Sequence, residues 1–282
     1  MMIRRSSSTG KKKDPIMYFH GLSLNGSRTT MRELLSKCKK GDKVSCTISH
    51  PGFIGIFHEI ESRGALLFPP LVAQSLSLSK IHQAMHYVDY MVPNTEVLFR
   101  KFHLESVLRR YAKENILKSV VKEDRGSMGM GNHPCWSLNE LARTITHVVK
   151  LPAVVQPMLE TFRELRLLIF GETIVAKEKI NSDQIFWKNR IYGGITKRIT
   201  PSKQVVTFGK EMMELGKFPW AYIDLLVADD NVFLSEITLS GSNAGLKEYN
   251  LNRLKRKMTE EWLKKGCTTE SDTESGNVTI DG

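Results

Sequence analysis

Four charged residues lie inside segments that otherwise have the pattern of apolar β-strands. They are Lys122 in VVKE, Arg166 in ELRLLIF, Asp224 in YIDLLV and Glu236 in VFLSEIT. A charge in a protein interior costs free energy unless it meets an opposite charge, an anion or a metal. Carboxylates bind Mg2+, whereas lysine and arginine bind phosphate oxygens. The four residues together suit a nucleoside triphosphate with its metal ion.

The two carboxylates lie on the strands of a predicted hairpin. YIDLLV and VFLSEIT alternate with period two, and ADDN between them is rich in turn-forming residues. If Asp224 lies opposite Glu236, their Cβ atoms are about 5 Å apart and need a cation between them, for which oxygen ligands favour Mg2+ over zinc. Alternation predicts a shared face for Tyr222, Asp224, Leu226, Leu234, Glu236 and Thr238. The alternative is that one acid faces solvent and the other caps a turn.

A glycine-rich loop, GSMGMG, follows the strand that carries Lys122. Its backbone N–H groups are suited to lie over phosphates, and the expected contacts are Gly126, Ser127, Gly129 and Gly131. The loop lacks the GK[ST] ending of a P-loop and does not open a helix, which excludes the P-loop and Rossmann interpretations. An ordinary flexible hairpin tip is the alternative. For Arg166 the alternative is a salt bridge with Glu160 or Glu164.

The composition is that of an ordinary globular protein with an excess of basic residues. The 282 residues are 41% hydrophobic and 25% charged, and no apolar run reaches membrane-spanning length. The net charge of +11 and the pI near 9.4 favour anionic partners. Basic residues concentrate in Arg4–Lys13, Lys37–Lys43 and Lys247–Lys265. No nucleic-acid-binding signature accompanies them, so nucleic acid is not an expected partner.

The cysteines and the N-terminal segment indicate in which cellular compartment the protein is expected. Cys38, Cys46, Cys135 and Cys267 are scattered without a CxxC pair, which suggests neither a zinc site nor a disulfide framework. The N-terminal segment MMIRRSSSTGKKKD has no apolar core of a secretory signal. We therefore predict a cytoplasmic protein.

Strand and helix patterns alternate along the chain, which predicts an α/β fold. A capping-box spacing places a helix start at Ser137, with Glu140 three residues later. Further helices are predicted at Phe102–Glu114, Lys203–Leu215 and Leu246–Lys265, and further strands in VSCTIS, ALLFPP, ILKSVVKE, PAVVQPML and ELRLLIFGETIVAKEKI, the last being a hairpin that turns at Phe170–Glu172. The basic start and the polar end after Gly266 are predicted to be disordered.

In this order the features resemble the ATP-grasp carboxylate-amine ligases, most closely bacterial glutathione synthetase and the ribosomal-protein glutamate ligases. The similarity covers Ala65 to Asn250. The matching segments are SLSK with Lys80, PNTEVLFRK with Lys101, VVKEDRGSMGMG with Lys122, VVQPML, ELRLLIF with Arg166, KNRIYGG with Asn189, and the two strands of the hairpin. The chain departs from the pattern at Glu123, Trp187 and Thr238, where these ligases have proline, arginine and asparagine.

The resemblance implies a role for each matching residue. Besides the glycine loop, the implied nucleotide ligands are Lys101, Lys122, Gln156, Pro157, Met158, Leu159 and Glu160. The implied catalytic residues are Arg166 and Asn189, with Arg190 as a substitute for the missing arginine. The implied ligands of Mg2+ or Mn2+ are Asp224, Glu236 and Thr238.

The resemblance also implies the architecture of an ATP-grasp fold. Residues 15–95 are expected to form a small N-terminal α/β domain, residues 96–160 a lid subdomain with the glycine-rich loop, and residues 161–266 the C-terminal catalytic subdomain. The nucleotide is expected between the last two. Residues 1–14 and 267–282 are the expected tails.

The implied reaction forms an amide between a carboxylate and an amine. ATP phosphorylates the carboxylate, and the amine attacks the resulting acyl-phosphate. The substrates implied are amino acids or peptides, and relatives often form homo-oligomers. One alternative is a ligase that adds amino acids to a protein end, where the basic surface could dock an acidic tail. Another is a nucleotide-binding protein without ligase activity, and a third, from charge alone, is a nucleic-acid-binding protein.

Overall fold

The computed structural model describes residues 19–125, 131–180, 194–241 and 249–265, which form three β-sheets flanked by helices. This confirms the α/β fold class. Gly126, Ser127, Gly129, Asn189 and Arg190 lie outside the described residues, as do both predicted tails. Among the described helices, none is both long enough and apolar enough to cross a membrane. The predicted domain boundaries stay a prediction.

The first sheet belongs to the N-terminal part of the chain. Its strands, in the spatial order β2-β1-β3-β4, are β1 (Phe19–Leu24), β2 (Ser27–Arg28), β3 (Lys43–Ile48) and β4 (Leu66–Phe68). Helices α1 (Met31–Lys37) and α2 (Ile54–Ser62) cover it. Thr30 and Glu33 form a capping box that starts α1. The buried side chains of Leu34, Val44 and Phe57 belong to a separate small core.

The middle sheet carries the strand that leads into the glycine-rich loop. Its order is β5-β8-β6-β7, with β5 (Glu96–Leu98), β6 (Ser119–Glu123), β7 (Asn132–Cys135) and β8 (Ala153–Pro157). Helices α5 (Leu104–Lys113) and α6 (Leu138–Arg143) pack on one face. Ser137 caps α6 as predicted, but Glu140 accepts its hydrogen bond from the N–H of Trp136, so the capping box is incomplete.

The largest sheet contains the predicted hairpin. Its order is β11-β10-β9-β12-β13, with β9 (Arg163–Phe170), β10 (Thr173–Ile180), β11 (Ile195–Ile199), β12 (Trp220–Ala228) and β13 (Asn231–Thr238). The turn between β12 and β13 contains Asp229 with φ +51°, a left-handed conformation that aspartate tolerates. The turn between β9 and β10 lies at Gly171, as predicted. Helix α7 (Lys203–Leu215) has the predicted bounds.

The two faces of the largest sheet differ in character. One face is apolar and packs against α7, where Gly209 lies so close to Leu167 and Ile169 that a side chain would not fit. The opposite face carries aromatic residues at one end and charged residues at the other. The charged end holds Glu164 and Arg166 from β9, Lys177 and Lys179 from β10, Asp224 from β12 and Glu236 from β13.

A β-bulge in β13 sets which residues reach the charged end. Asp224 pairs with Glu236, but the next pair is Leu225 with Leu234, so Ser235 is the extra residue. Leu234 is therefore fully buried on the apolar face. The prediction that Leu234 shares a face with Asp224 is wrong, because simple alternation does not anticipate the bulge.

Helices α3 (Leu71–Ser77) and α4 (Lys80–His86) cover the exposed edge of β13. The side-chain amide of Gln83 accepts from the N–H of Ile237 at 2.9 Å and donates to the carbonyl of Ile237 at 2.9 Å. The N–H of Leu239 donates to the Ser77 hydroxyl at 2.8 Å. These bonds satisfy backbone groups at the edge strand and fix α4 beside Glu236.

Helix α8 (Leu251–Lys264) joins the first sheet to the largest one, and starts later than the predicted Leu246. The Lys43 ammonium donates to the carbonyls of Trp262, Leu263 and Lys265 at the end of α8. The Trp262 ring stacks on Phe68 at 5.1 Å between centroids. Cationic groups at a helix C-terminus are favourable, so Lys43 stabilises this junction.

Candidate active site

The Asp224 carboxylate is the most tightly held group at the charged end of the largest sheet. Arg166 donates to both of its oxygens, at 2.7 Å each, and the Lys179 ammonium donates at 2.9 Å. Burial alone would raise the pKa of Asp224, but Lys179 and Arg166 outweigh burial and hold it well below its ordinary value. Asp224 in turn raises the pKa of Arg166. Asp224 is therefore ionised and paired.

Two lysines of β10 extend this network across the sheet face. Lys179 is buried and bridges Asp224 and Glu164. Burial opposes its charge, but the two carboxylates outweigh burial and raise the pKa of Lys179. Lys177 is also buried and lies opposite Arg166 in the strand register. On this face β9 and β10 therefore carry three cations at the charged end: Arg166, Lys177 and Lys179.

Two further lysines reach the cluster from outside the largest sheet. Lys80, at the start of α4, lies 3.3 Å from Glu236. Lys122 on β6 is buried, and its ammonium contacts the Ser235 hydroxyl at 3.3 Å, at the β-bulge. The pKa of Lys122 falls to about 8, chiefly because of burial; the Glu236 carboxylate opposes this shift and the Lys80 charge adds to it.

Asp124 fixes the relative position of these two lysines. Its carboxylate accepts from the Ser79 hydroxyl at 2.6 Å and from the N–H of Ile81 at 3.2 Å. Asp124 follows β6 directly, so it ties the first turn of α4 to the end of the strand that carries Lys122. Lys80 and Lys122 are thereby held beside the same carboxylate, Glu236.

The ends of the glycine-rich loop are joined by two contacts. The N–H of Glu123 donates to the carbonyl of Gly131 at 2.8 Å, and the His133 ring lies 2.7 Å from the Glu123 carboxylate. Gly131 is buried. The strands β6 and β7 therefore remain paired up to the point where the loop begins.

Gln156 on β8 carries a buried carbonyl oxygen, Oε1, without a hydrogen-bond partner in the described part of the chain. Register places Gln156 opposite Val120 and Val154 opposite Lys122, so Gln156 and Lys122 share one face of the middle sheet. An unsatisfied buried acceptor costs free energy, and a ligand N–H group at this position would recover it. Beyond Gln156, Pro157, Met158 and Leu159 are partly buried, whereas Glu160 is 88% exposed.

Comparison with solved structures identifies the fold. D-alanine–D-alanine ligase from Bacillus anthracis, complexed with ATP, has a TM-score of 0.58 and 16% identity, covering 84% of each chain. D-alanyl-alanine synthetase A from Vibrio cholerae O1 biovar eltor has a TM-score of 0.58 and 15% identity over 76% of this chain and 74% of that one. The chain has the ATP-grasp fold. No protein-family model and no curated protein matches the sequence.

A third ATP-grasp neighbour contains a metal and a nucleotide. The ATP-grasp ligase PsnB, complexed with minimal precursor, Mg and ADP, has a TM-score of 0.53 and 16% identity over 73% of this chain and 66% of that one. Identities at this level establish the fold alone. The roles of individual residues in this chain therefore rest on the geometry of its own site.

The structure brings four of the predicted site residues together and leaves Lys101 apart from them. Lys122, Arg166, Asp224 and Glu236 meet in one cluster. Lys101 is exposed and donates to the carbonyl of Thr146 at 2.8 Å, and in the described part of the chain it does not contact this cluster. Both alternatives for Arg166 are wrong, because its partner is Asp224 and not Glu160 or Glu164.

The sequence analysis missed two lysines of the cluster. Lys177 and Lys179 occupy alternate positions in the strand TIVAKEKI, which places both on one face. That spacing was a usable signal, since buried lysines at period two need anions on the same side. Lys80 lies beside Glu236, next to the lysine that precedes the glycine-rich loop.

The oxygen atoms near Glu236 have the chemistry that magnesium prefers. Asp224 and Glu236 face each other in register, and the Thr238 hydroxyl lies at the end of the same strand, where it donates to the carbonyl of Ser240 at 2.7 Å. No group of three or more His, Cys, Asp or Glu side chains that could hold a metal occurs among the described residues. A metal here would rest on two carboxylates, and at Asp224 it would compete with Arg166 and Lys179.

Proposed function

We propose that this protein is an ATP- and Mg2+-dependent ligase that joins a carboxylate to an amine through an acyl-phosphate. One observation carries the proposal: in the described part of the chain, two sheets of an ATP-grasp fold converge on one cluster of cationic and carboxylate side chains. The cations are Lys80, Lys122, Arg166, Lys177 and Lys179, and the carboxylates are Glu164, Asp224 and Glu236. Cationic side chains gathered in this way fit a polyphosphate.

The nucleotide would lie between the middle sheet and the largest sheet. Gln156 offers its unsatisfied Oε1 to the exocyclic amino group of adenine, beside the backbone of Pro157, Met158 and Leu159. Lys122 lies on the same sheet face, toward the phosphates, and the loop from Gly126 to Gly131 would cover them. Exposed Glu160 is available to the ribose.

The metal ion would be held by Glu236 and Asp224, with Thr238 as a third oxygen ligand. When bound, Mg2+ or Mn2+ would neutralise phosphate charge and fix the phosphate oxygens in place. Glu236 is the more available carboxylate, because its described ion pair is the single contact with Lys80 at 3.3 Å. Asp224 has the second task of positioning Arg166 through two hydrogen bonds.

In the proposed reaction an oxygen of the substrate carboxylate attacks the terminal phosphorus, and ADP leaves. The amine nitrogen then attacks the acyl carbon, inorganic phosphate leaves, and the amine gives up a proton. Arg166 and Lys179 would face the negative charge that develops on the transferred group. Asn189 and Arg190 are proposed to complete this side of the site. Exclusion of water by the closed loop would protect the acyl-phosphate from hydrolysis.

The substrates proposed are an amino acid or a peptide, as the resemblance to glutathione synthetase and the ribosomal-protein glutamate ligases implies. The net charge of +11 would favour acidic substrates, and an acidic protein tail is one such partner. A homo-oligomer is the proposed assembly.

The test is a screen for ADP release with pooled amino acids and carboxylic acids, and the products are identified by mass. We expect Glu236→Gln to abolish ADP release and to leave the far-ultraviolet circular dichroism unchanged. Glu178→Gln is the matched control, since Glu178 lies on β10 but points to the opposite face and pairs with Arg163. Full ADP release by Glu236→Gln would refute the assignment of the metal site.

The second candidate is an ATP-grasp protein that binds nucleotide without ligase activity. The observation that favours it is the occupation of both Asp224 oxygens by Arg166 and Lys179, together with a hydroxyl at Thr238 in place of an amide. Isothermal titration calorimetry with ATP separates the two candidates. Tight binding with no ADP release for any substrate pool supports the binding protein.

A further inference from the structure

Among the residues that the structure describes, the aromatic end of the largest sheet holds one ammonium group, Lys255 of α8. Its Nζ lies 5.8 Å, 5.5 Å and 5.2 Å from the ring centroids of Phe170, Trp220 and Tyr222. It donates to the carbonyl of Leu239 at 2.9 Å, and the Trp220 indole N–H donates to that same oxygen at 3.0 Å. The three rings are almost fully buried, whereas Lys255 keeps some exposure.

No carboxylate compensates the Lys255 charge among the described residues. Burial is the only cause that shifts its pKa, which falls to about 8. Aromatic faces attract a cation, but they supply no hydrogen-bond acceptor for its N–H groups. An ammonium donates three hydrogen bonds, and the carbonyl of Leu239 takes one of them. Within the described part of the chain, its other donors meet no acceptor and are available to an anion.

The position of Lys255 relative to the charged end limits what that anion is. Trp220, Tyr222 and Asp224 alternate along β12 without interruption, so the aromatic rings and Asp224 share one face. Successive residues on one face of a strand are roughly 7 Å apart, which is about the length of two extended amino-acid residues. A ligand that covers the step from Tyr222, beside Lys255, to Asp224 is therefore the size of an amino acid or a dipeptide.

We infer that Lys255 and its aromatic cage form a subsite for the free carboxylate of an amino-acid or short-peptide substrate. The rest of the substrate then extends toward the charged end. The subsite rests on the proposed ligase function and deepens it by assigning Lys255 to the substrate carboxylate, and its binding step requires no turnover. Beside the cage, an added Cβ at Gly241 would lie 2.6 Å from the Tyr222 ring, so the backbone can lie this close to the ring only as glycine.

The test measures binding of glycylglycine and glycylglycinamide to the full chain by saturation-transfer NMR at pH 7 and fixed ionic strength. The two probes differ only in the terminal carboxylate. We expect the acid to bind at least about tenfold more tightly than the amide, as for other charge-assisted hydrogen bonds. Lys255→Met, which keeps the apolar stem, and Lys255→Gln, which keeps a donor to Leu239, should both lose this preference.

Lys257→Met is the control, because Lys257 lies on the same helix and pairs with exposed Glu261 at 3.7 Å. It should keep the preference for the acid. A second measurement on the unaltered chain localises the ligand: glycylglycine, but not its amide, should protect Lys255 from reductive methylation, read by peptide mass spectrometry. Equal binding of acid and amide, or no protection of Lys255, overturns the inference even if both Lys255 variants fail to fold.

The ADP-release screen is independent of these measurements. Carboxylate-dependent binding at Lys255 with no ADP release for any substrate pool would leave the subsite standing and refute the ligase. Ligase activity with no role for Lys255 would give the opposite pattern.

Discussion

The two ends of one face of the largest sheet differ in how their buried charges are compensated. At the charged end, Asp224 is matched by Arg166 and Lys179 within hydrogen-bond distance, so its carboxylate is compensated before any ligand arrives. At the aromatic end, Lys255 lies against three rings and has no carboxylate among the described residues. The two ends therefore hold cations in different ways: the charged end pairs them with carboxylates, whereas the aromatic end places one against aromatic rings.

The largest predicted loss of stability follows from removing one partner of Asp224 at the charged end. Arg166→Ala leaves Asp224 buried with Lys179 alone, and we expect the free energy of unfolding to fall by about 3–5 kcal/mol, as for other broken buried ion pairs. Arg163→Ala is the matched control on the same strand. Arg163 also forms a two-point pair, with Glu178, but its side chain is 56% exposed, so a loss within about 1 kcal/mol is expected.

Urea denaturation followed by circular dichroism gives both values. Similar small losses for Arg166→Ala and Arg163→Ala would mean that burial does not distinguish the two pairs. In that case the charged end would be no more than an exposed ion network.

The pH dependence of stability tests the burial of the Lys255 ammonium at the aromatic end. Lys255 has a folded pKa of about 8 against about 10.4 in an unfolded chain, so the unfolded state binds the additional proton between these values. The free energy of unfolding contributed by Lys255 therefore rises as pH increases from about 8 to about 10.4, and the burial penalty is complete below pH 8. The expected rise, relative to Lys255→Met, is on the order of 3 kcal/mol.

Thermal and urea unfolding of the wild type, Lys255→Met and Lys257→Met across this pH range measure the effect. The Lys257→Met curve should run parallel to that of the wild type, because exposed Lys257 lies in solvent beside Glu261. A constant difference between the wild type and Lys255→Met from pH 7 to pH 10.5 would contradict the burial of an uncompensated ammonium.

The contrast between the two ends also shows what sequence alone can predict. The hairpin and its turn were predicted, because alternation and turn chemistry are local properties, whereas Asp224 opposite Glu236 was one possible register. The structure has that pairing through the bulge, since counting back from the turn without it would place Asp224 opposite Ser235. The bulge at Ser235 was not predictable, since it depends on pairing with β12 and on the contact with Lys122. The partner of Arg166 was also missed, because cross-strand register between β9 and β12 links residues that are far apart in sequence.

Tertiary packing likewise determines which lysine lies beside Glu236. Lys101 and Lys80 both matched ligase segments, and only packing of α4 against β13 shows that Lys80 is the one beside Glu236. The aromatic cage combines three rings from two strands with Lys255 from a distant helix. No spacing in the sequence relates Phe170, Trp220 and Lys255, so tertiary structure alone brings them together.

The smallest predicted effect lies at the boundary between the two ends. Thr238 pairs with Tyr222 of the aromatic end and follows Glu236 of the charged end, and its hydroxyl donates to the carbonyl of Ser240. Thr238→Val keeps the shape and removes the hydroxyl, so a loss of about 0.5–1 kcal/mol in the free energy of unfolding is expected for one partly exposed hydrogen bond. Thr238→Ser keeps the hydroxyl and serves as the control.

The same pair of variants tests whether the hydroxyl belongs to the charged end. If Thr238 is a metal ligand, Thr238→Val should raise the Mg2+ concentration needed for half-maximal nucleotide binding, and Thr238→Ser should leave it near the wild-type value. The magnesium requirement is measured by calorimetric titration of an ATP analogue at several Mg2+ concentrations. An unchanged Mg2+ requirement in Thr238→Val would mean that only the two carboxylates bind the metal. The Thr238 hydroxyl would then contribute only its hydrogen bond to the Ser240 carbonyl.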